Sequence, residues 1–134
     1  MNNFEGFIKT VHVNGNLSIV DIEVTSDILM KAIIIDTPET ASYLKSNAKV
    51  SILFKETEVI IGLGDQSGIS LQNKIPAIIT HVEIGNLLCK LDLKSDAGIF
   101  TAIISAAAAV ALNLKVEDEV TAMIKLNEVM LRSL

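Results

Sequence analysis

Few side chains in this 134-residue chain could make or break bonds: His12, His81, Cys89 and the aspartates Asp21 and Asp92. Imidazole, thiolate and carboxylate are what a metal ion needs, but such a site requires three or four of them at suitable spacing. His12 and His81 fall in or beside strand-like runs, and Cys89 completes no ligand set. Both histidines therefore read as structural, and Cys89 as a small buried hydrophobe. Asp21 and Asp92 occur one in each half of the chain, as strand-edge or turn partners do, not as a catalytic pair. No nucleophile–base–orienter set, G-x-x-x-x-G-K phosphate loop or zinc spacing is present. Gly62-x-Gly64-x-x-x-Gly68 misses the dinucleotide spacing, has no helical pattern after it, and reads as linker. The remaining groups suit non-covalent chemistry. Among them, Ser105, where a strand gives way to a helix-forming run, reads as a helix N-cap, and Lys125, with its counterpart Lys55, as a solvated lysine after a strand.

Those lysines belong to a repeat. Ala32-Ile33-Ile34 returns as Ala102-Ile103-Ile104, Leu44 as Leu114, Val50 as Val120, and Lys55-x-x-Glu58-Val59 as Lys125-x-x-Glu128-Val129, all 70 positions on. Upstream, Asn2 and Asn73, Val11 and Val82, and Asp21 and Asp92 match at 71. A repeat this long means two copies of one small domain, or one fold built by duplication. Units of about 65 residues are near the lower limit for an adequate core, so the copies should pack on each other or on another chain.

The elements can be read within that frame. Strand-like runs cover 4–13, 17–24 and 29–35, then 75–84, 87–93 and 99–104, with hairpin turns at Asn14-Gly15-Asn16 and Gly85-Asn86. Thr37 to Leu44 is predicted to be a short helix, with Thr37 as N-cap and Pro38 in its first turn. Its counterpart, Ser105 to Leu112, is alanine-rich with Ser105 as cap. Two further strands close each copy, at 50–54 and 58–61, then 120–124 and 128–131. The expected fold is mostly β: two tandem OB-like small β-barrels, each with one short helix.

Composition excludes several partners. Half the residues are hydrophobic while aromatics are 4%, so the core is aliphatic. Mean hydropathy is +0.49. The longest apolar run, Ile99 to Leu112, is broken by Thr101 and Ser105 and falls short of the roughly 20 residues of a membrane span. Buried strands and an oligomer interface account for the hydropathy better. A net charge of −5 and a single arginine, Arg132, disfavour nucleic acid and anionic membrane. The start Met-Asn-Asn-Phe-Glu-Gly shows no secretory signal, and one cysteine forms no internal disulfide, so the expected location is cytoplasmic.

One phrase resembles a known family. Ala102-x-Ile104-Ser105-x-x-Ala108-x-x-x-Leu112-x-Leu114, continuing to Val120-x-Ala122-x-Ile124-Lys125-x-x-x-Val129-x-Leu131, is similar without gaps to the Mop molybdate-binding domains of the TOBE group. That family reads A-x-I-T-x-x-S-x-x-x-L-x-L-x-x-G-x-x-V-x-A-x-I-K-A-x-x-V-x-L. Its opening S-A-R-N corresponds to Ser70-Leu71-Gln72-Asn73. The resemblance covers nearly the whole chain as a tandem pair: residues 1–62, a linker at 63–69, and residues 70–134.

The resemblance implies binding of molybdate or tungstate without catalysis, for storage, buffering or sensing. It carries over Ser70, Gln72, Asn73, Ser105, Ala106, Ala108 and Lys125 as oxyanion contacts, and Lys55 as a weaker one in the first copy. The ligand is the oxyanion itself; no metal site or organic cofactor is expected. The expected partners are the small anion and further copies of the chain, with a separate protein as another. The chain departs from the pattern at Gln72 (arginine in the family), Ala108 (a hydroxyl) and Glu117 (a glycine). The first copy departs further, with Ile35 for the hydroxyl, Asp36 beside it and Pro38 removing an amide, and reads as a degenerate site. The alternative function is a structural or regulatory protein-interaction module that keeps the fold without the ligand.

Overall fold

The computed structural model describes residues 1–134. Its elements, in chain order, are β1 (Asn2–Asn14), β2 (Leu17–Glu23), β3 (Leu29–Ile34), β4 (Lys49–Phe54), β5 (Ile60–Gly62), β6 (Asn73–Ile84), β7 (Leu88–Ser95), β8 (Gly98–Ser105), α1 (Ala106–Ala111), β9 (Glu119–Ile124) and β10 (Met130–Ser133). Period-2 patterning produces the strands: buried and exposed residues alternate along the first part of both β1 and β6. Gly15, at φ 65°, closes the first hairpin, as the Asn-Gly signal predicts. Both long hairpins carry a bulge at equivalent places, between Ile8 and Thr10 and between Ile79 and His81.

The two five-stranded sheets run β10-β4-β1-β2-β3 and β5-β9-β6-β7-β8. Each therefore takes its fifth strand from the other copy. Ile60 and Ile61 of β5 stand opposite Met123 and Ala122 of β9, while Met130 and Leu131 of β10 stand opposite Leu53 and Ile52 of β4. The core is likewise shared: Phe4 makes edge-on contacts with Phe54 and Phe100, each at 5.4 Å between ring centroids.

Two expectations need correction. The sheets are OB-like in strand path but are not closed barrels. The lent strand lies beside β4 or β9, at the edge away from β3 or β8, so the two ends of a sheet never pair. The first copy also lacks a helix. Pro38 has no N–H, and hydroxyls capture the neighbouring amides: Thr37 N–H donates to Thr40 Oγ1 at 2.9 Å and Glu39 N–H to Thr37 Oγ1 at 3.3 Å. Ala41 N–H donates to the Thr37 carbonyl at 2.8 Å, but no further bond of the α-helical kind follows it, leaving Thr37 to Leu44 as a chain of turns. No helix is long and apolar enough to cross a membrane.

Candidate functional site

The oxyanion contacts inferred from sequence divide into two groups at different places in the fold. The first lies at the end of β8. Ser105 caps α1, its Oγ accepting the Ala108 N–H at 3.0 Å, which leaves its own O–H to donate outward. Ala106 N–H donates to the Leu87 carbonyl at 2.8 Å. Two of the amides proposed to hold an anion, those of Ala106 and Ala108, are thus engaged within the chain.

The second group lies where β6 begins. Asn73 stands opposite Ile124, which places Gln72 and the exposed Ser70 along the segment that runs past Lys125. Asn73 itself is fully buried and spans the two copies. Its Oδ1 accepts the Lys31 N–H at 2.7 Å and its Nδ2 donates to the Lys31 carbonyl at 2.9 Å. Asn2 does the same to Thr101 in the other direction, at 2.9 and 2.8 Å. Both ends of each amide are occupied, so these asparagines act as clamps between copies.

The two groups stand apart. Ser105 lies opposite Leu88, beside the hairpin that ends β6 at Ile84, whereas Lys125 follows Ile124, opposite the start of β6. β6 is 12 residues long, roughly 35 Å of strand at about 3.3 Å per residue. What adjoins the Ser105 end is the first copy. The turn Glu56–Glu58, just after Lys55, packs on β8, and β5 follows it there. The turn Leu126–Glu128, just after Lys125, packs on β3 in the same way.

A groove of about 500 Å³ results at the Ser105 end, walled by Val59, Ile60, Leu88 and Ile104, with Thr57 and Ser105 as its hydroxyls. Thr57 escaped the sequence reading, because its partner Ser105 belongs to the other copy. Lys55 and Lys125 are exposed and have no carboxylate within ion-pairing distance. Both ammonium groups are free to meet an anion. A larger concavity of about 600 Å³ sets Asp96 and Glu119 against Lys94 and would repel a dianion.

The remaining candidates have structural roles. Thr10 Oγ1 (2.5 Å), Lys31 Nζ (2.6 Å) and His12 Nε2 (3.2 Å) converge on the Asp21 carboxylate. Burial pushes this carboxyl up, but the hydrogen bonds from Lys31, Thr10 and His12 outweigh it and hold Asp21 below the ordinary carboxylate value. Cys89 is buried, and burial raises its thiol. No group of three or more His, Cys, Asp or Glu is placed to hold a metal ion.

Residues 69–131 match the family described as the TOBE domain. No curated protein sequence matches the chain. Among solved structures, the chain is similar to a crystal form of the cytoplasmic molybdate-binding protein ModG, grown from PEG with molybdate bound. The two are 22% identical at a TM-score of 0.90, over 99% of this chain and 96% of that one. At that identity the likeness speaks for the fold. The second copy therefore matches a TOBE domain, and the whole chain shares the fold of a protein that holds molybdate.

Proposed function

We propose that this chain is a cytoplasmic, non-catalytic binder of a tetrahedral oxyanion, molybdate or tungstate, serving storage, buffering or sensing. The carrying observation is the fold match over nearly the full length of both chains to a molybdate-loaded protein, joined to the TOBE match of residues 69–131. The chemistry present supports it. A tetrahedral dianion needs converging O–H and N–H donors with a positive charge close by, and charge-assisted bonds of this kind are the strong ones. The Ser105 end offers free hydroxyls, and the Ser70, Gln72 and Lys125 end offers a hydroxyl, a primary amide and an ammonium. Two units, 1–62 and 70–134 joined by 63–69, remain the simplest division of the chain. Exposed Leu87, Leu88 and Val110 near α1, and Ile35 after β3, suit burial against further copies of the chain.

A second reading, a protein-interaction module without ligand, is favoured by the apolar walls of the groove and the engaged amides of α1. Calorimetric titration with molybdate, tungstate and sulfate separates the two. Oxyanion binding predicts saturable heat with molybdate and tungstate, weakened about tenfold or more by Ser105→Ala, as expected for loss of a bond to a charged group. Absence of heat with all three anions would reject it and leave the interaction module.

A further inference from the structure

We propose that the outer face of the first copy's sheet docks on the outer face of the second copy's sheet in another molecule of this chain. Cross-strand register carries the proposal. On the first copy, Leu29, Glu23, Phe7 and Lys49 stand side by side across β3, β2, β1 and β4. On the second, Ile99, Lys94, Ile78 and Glu119 form the corresponding row across β8, β7, β6 and β9. All of these side chains are exposed, while the strand neighbours Ile8, Ile22, Met30 and Val50 face the core.

The two rows match in type and oppose in charge. Each reads apolar, charged, apolar, charged, but the first carries Glu23 and Lys49 where the second carries Lys94 and Glu119. Laid face to face in the same order, Leu29 meets Ile99, Glu23 meets Lys94, Phe7 meets Ile78 and Lys49 meets Glu119. Two first-copy faces, or two second-copy faces, would set each charge on its like. Reversing one row would set every apolar residue against a charge. Within the chain these charges are little used. Glu23, Lys94 and Glu119 form no ion pair, and Lys49 reaches only Glu5, at 3.5 Å, with both side chains exposed. Shape agrees with charge. Phe7 is 52% exposed, and the row it would meet borders the concavity of about 600 Å³ lined by Pro76, Ile78, Lys94 and Glu119. An aromatic ring seated in a cleft with charged groups at its rim makes a strong interface anchor. Ile99, 79% exposed, would be covered by Leu29. The contact joins unlike faces, so each molecule keeps one face of each kind and the contact repeats from chain to chain. The concavity shares no lining residue with the Ser105 groove, and docking there needs no anion.

Sedimentation velocity of the full chain tests this, with wild type, Phe7→Glu and Ile78→Glu each alone, and the two variants mixed in equal amounts. Thermal melts establish that each is folded. Wild type is expected to associate, and each variant alone to lose about thirtyfold or more in association. The mixture is expected to form dimers, because one intact first-copy face and one intact second-copy face remain, on different molecules. Charge reversal is the second arm. Glu23→Lys and Lys94→Glu should each weaken association about tenfold, and the doubly reversed chain should return to within about threefold of wild type. A monomeric wild type overturns the proposal. So does a single variant that associates as wild type does, a mixture that stays monomeric, or a double reversal no better than its single parents.

Discussion

Replacing Asn73 by alanine separates a clamp from a ligand. The side chain is fully buried and makes two bonds, at 2.7 and 2.9 Å, to the N–H and C=O of Lys31. Each bond is worth about 1 kcal/mol net, and a buried partner left without a bond costs about 1–3 kcal/mol. Lys31 is half-buried on β3, so water re-solvates part of what is lost. An expected destabilisation of about 2–4 kcal/mol follows. Urea unfolding of wild type and Asn73→Ala measures it as a shift in midpoint at unchanged slope. Asn2→Ala, which breaks the equivalent pair of bonds to Thr101, should cost a similar amount. Tungstate affinity of the folded Asn73→Ala protein should stay within about twofold of wild type, since the side chain is fully buried and bonded through both Oδ1 and Nδ2 to Lys31. A stability loss below about 1 kcal/mol combined with a large loss of affinity would refute the clamp and return Asn73 to the ligand set.

Two further outcomes are expected. Glu117 sits at φ 78°, a left-handed conformation that costs a side-chain-bearing residue about 1–2 kcal/mol, part of which glycine gives back as chain entropy. Glu117→Gly should therefore stabilise by about 0.5–1 kcal/mol and raise the melting temperature by about 2–4 °C, read by calorimetric melting; an unchanged or lower melting temperature would contradict this. Asp21 has a folded-state pKa below its ordinary 3.8, so its stabilisation is present above that value and fades as pH falls through the folded pKa. Lys31→Met removes the largest of the lowering contacts and leaves burial to raise the carboxyl. The acid limb of a stability–pH curve should then move to higher pH, and an unmoved limb would show that Lys31 does not set it.

Much of this fold was legible because β1 and β6 alternate cleanly and Asn14-Gly15 marks a hairpin, both local signals. The missing helix was a local failure. Thr37-Pro38 has the form of a helix start, and Thr37 Oγ1 accepts the Glu39 N–H as a cap would, yet only one α-type backbone bond, Ala41 N–H to the Thr37 carbonyl, forms and turns result. Ser105 caps α1 as read, because its successors are alanines with nothing to compete for the backbone. The role of Asn73 was not legible. A strand-leading asparagine looks the same whether it meets an anion or the backbone of the other copy.

The strand exchange was illegible for a deeper reason, and it decides how the site has to be read. Ile60-Ile61 and Met130-Leu131 are short apolar strands of similar size, the first paired with β9 and the second with β4. Pattern and hydrophobicity are therefore satisfied equally by keeping the strand or lending it. Once lent, each groove has one wall from each copy. Thr57 of the first copy and Ser105 of the second, which look unrelated when the copies are compared end to end, then fall together at one groove. Judged copy by copy, each half has one intact hydroxyl and one lost, so neither stands out as the binder. Judged groove by groove, Thr57 and Ser105 stand together, a pairing that comparison of the copies alone does not show.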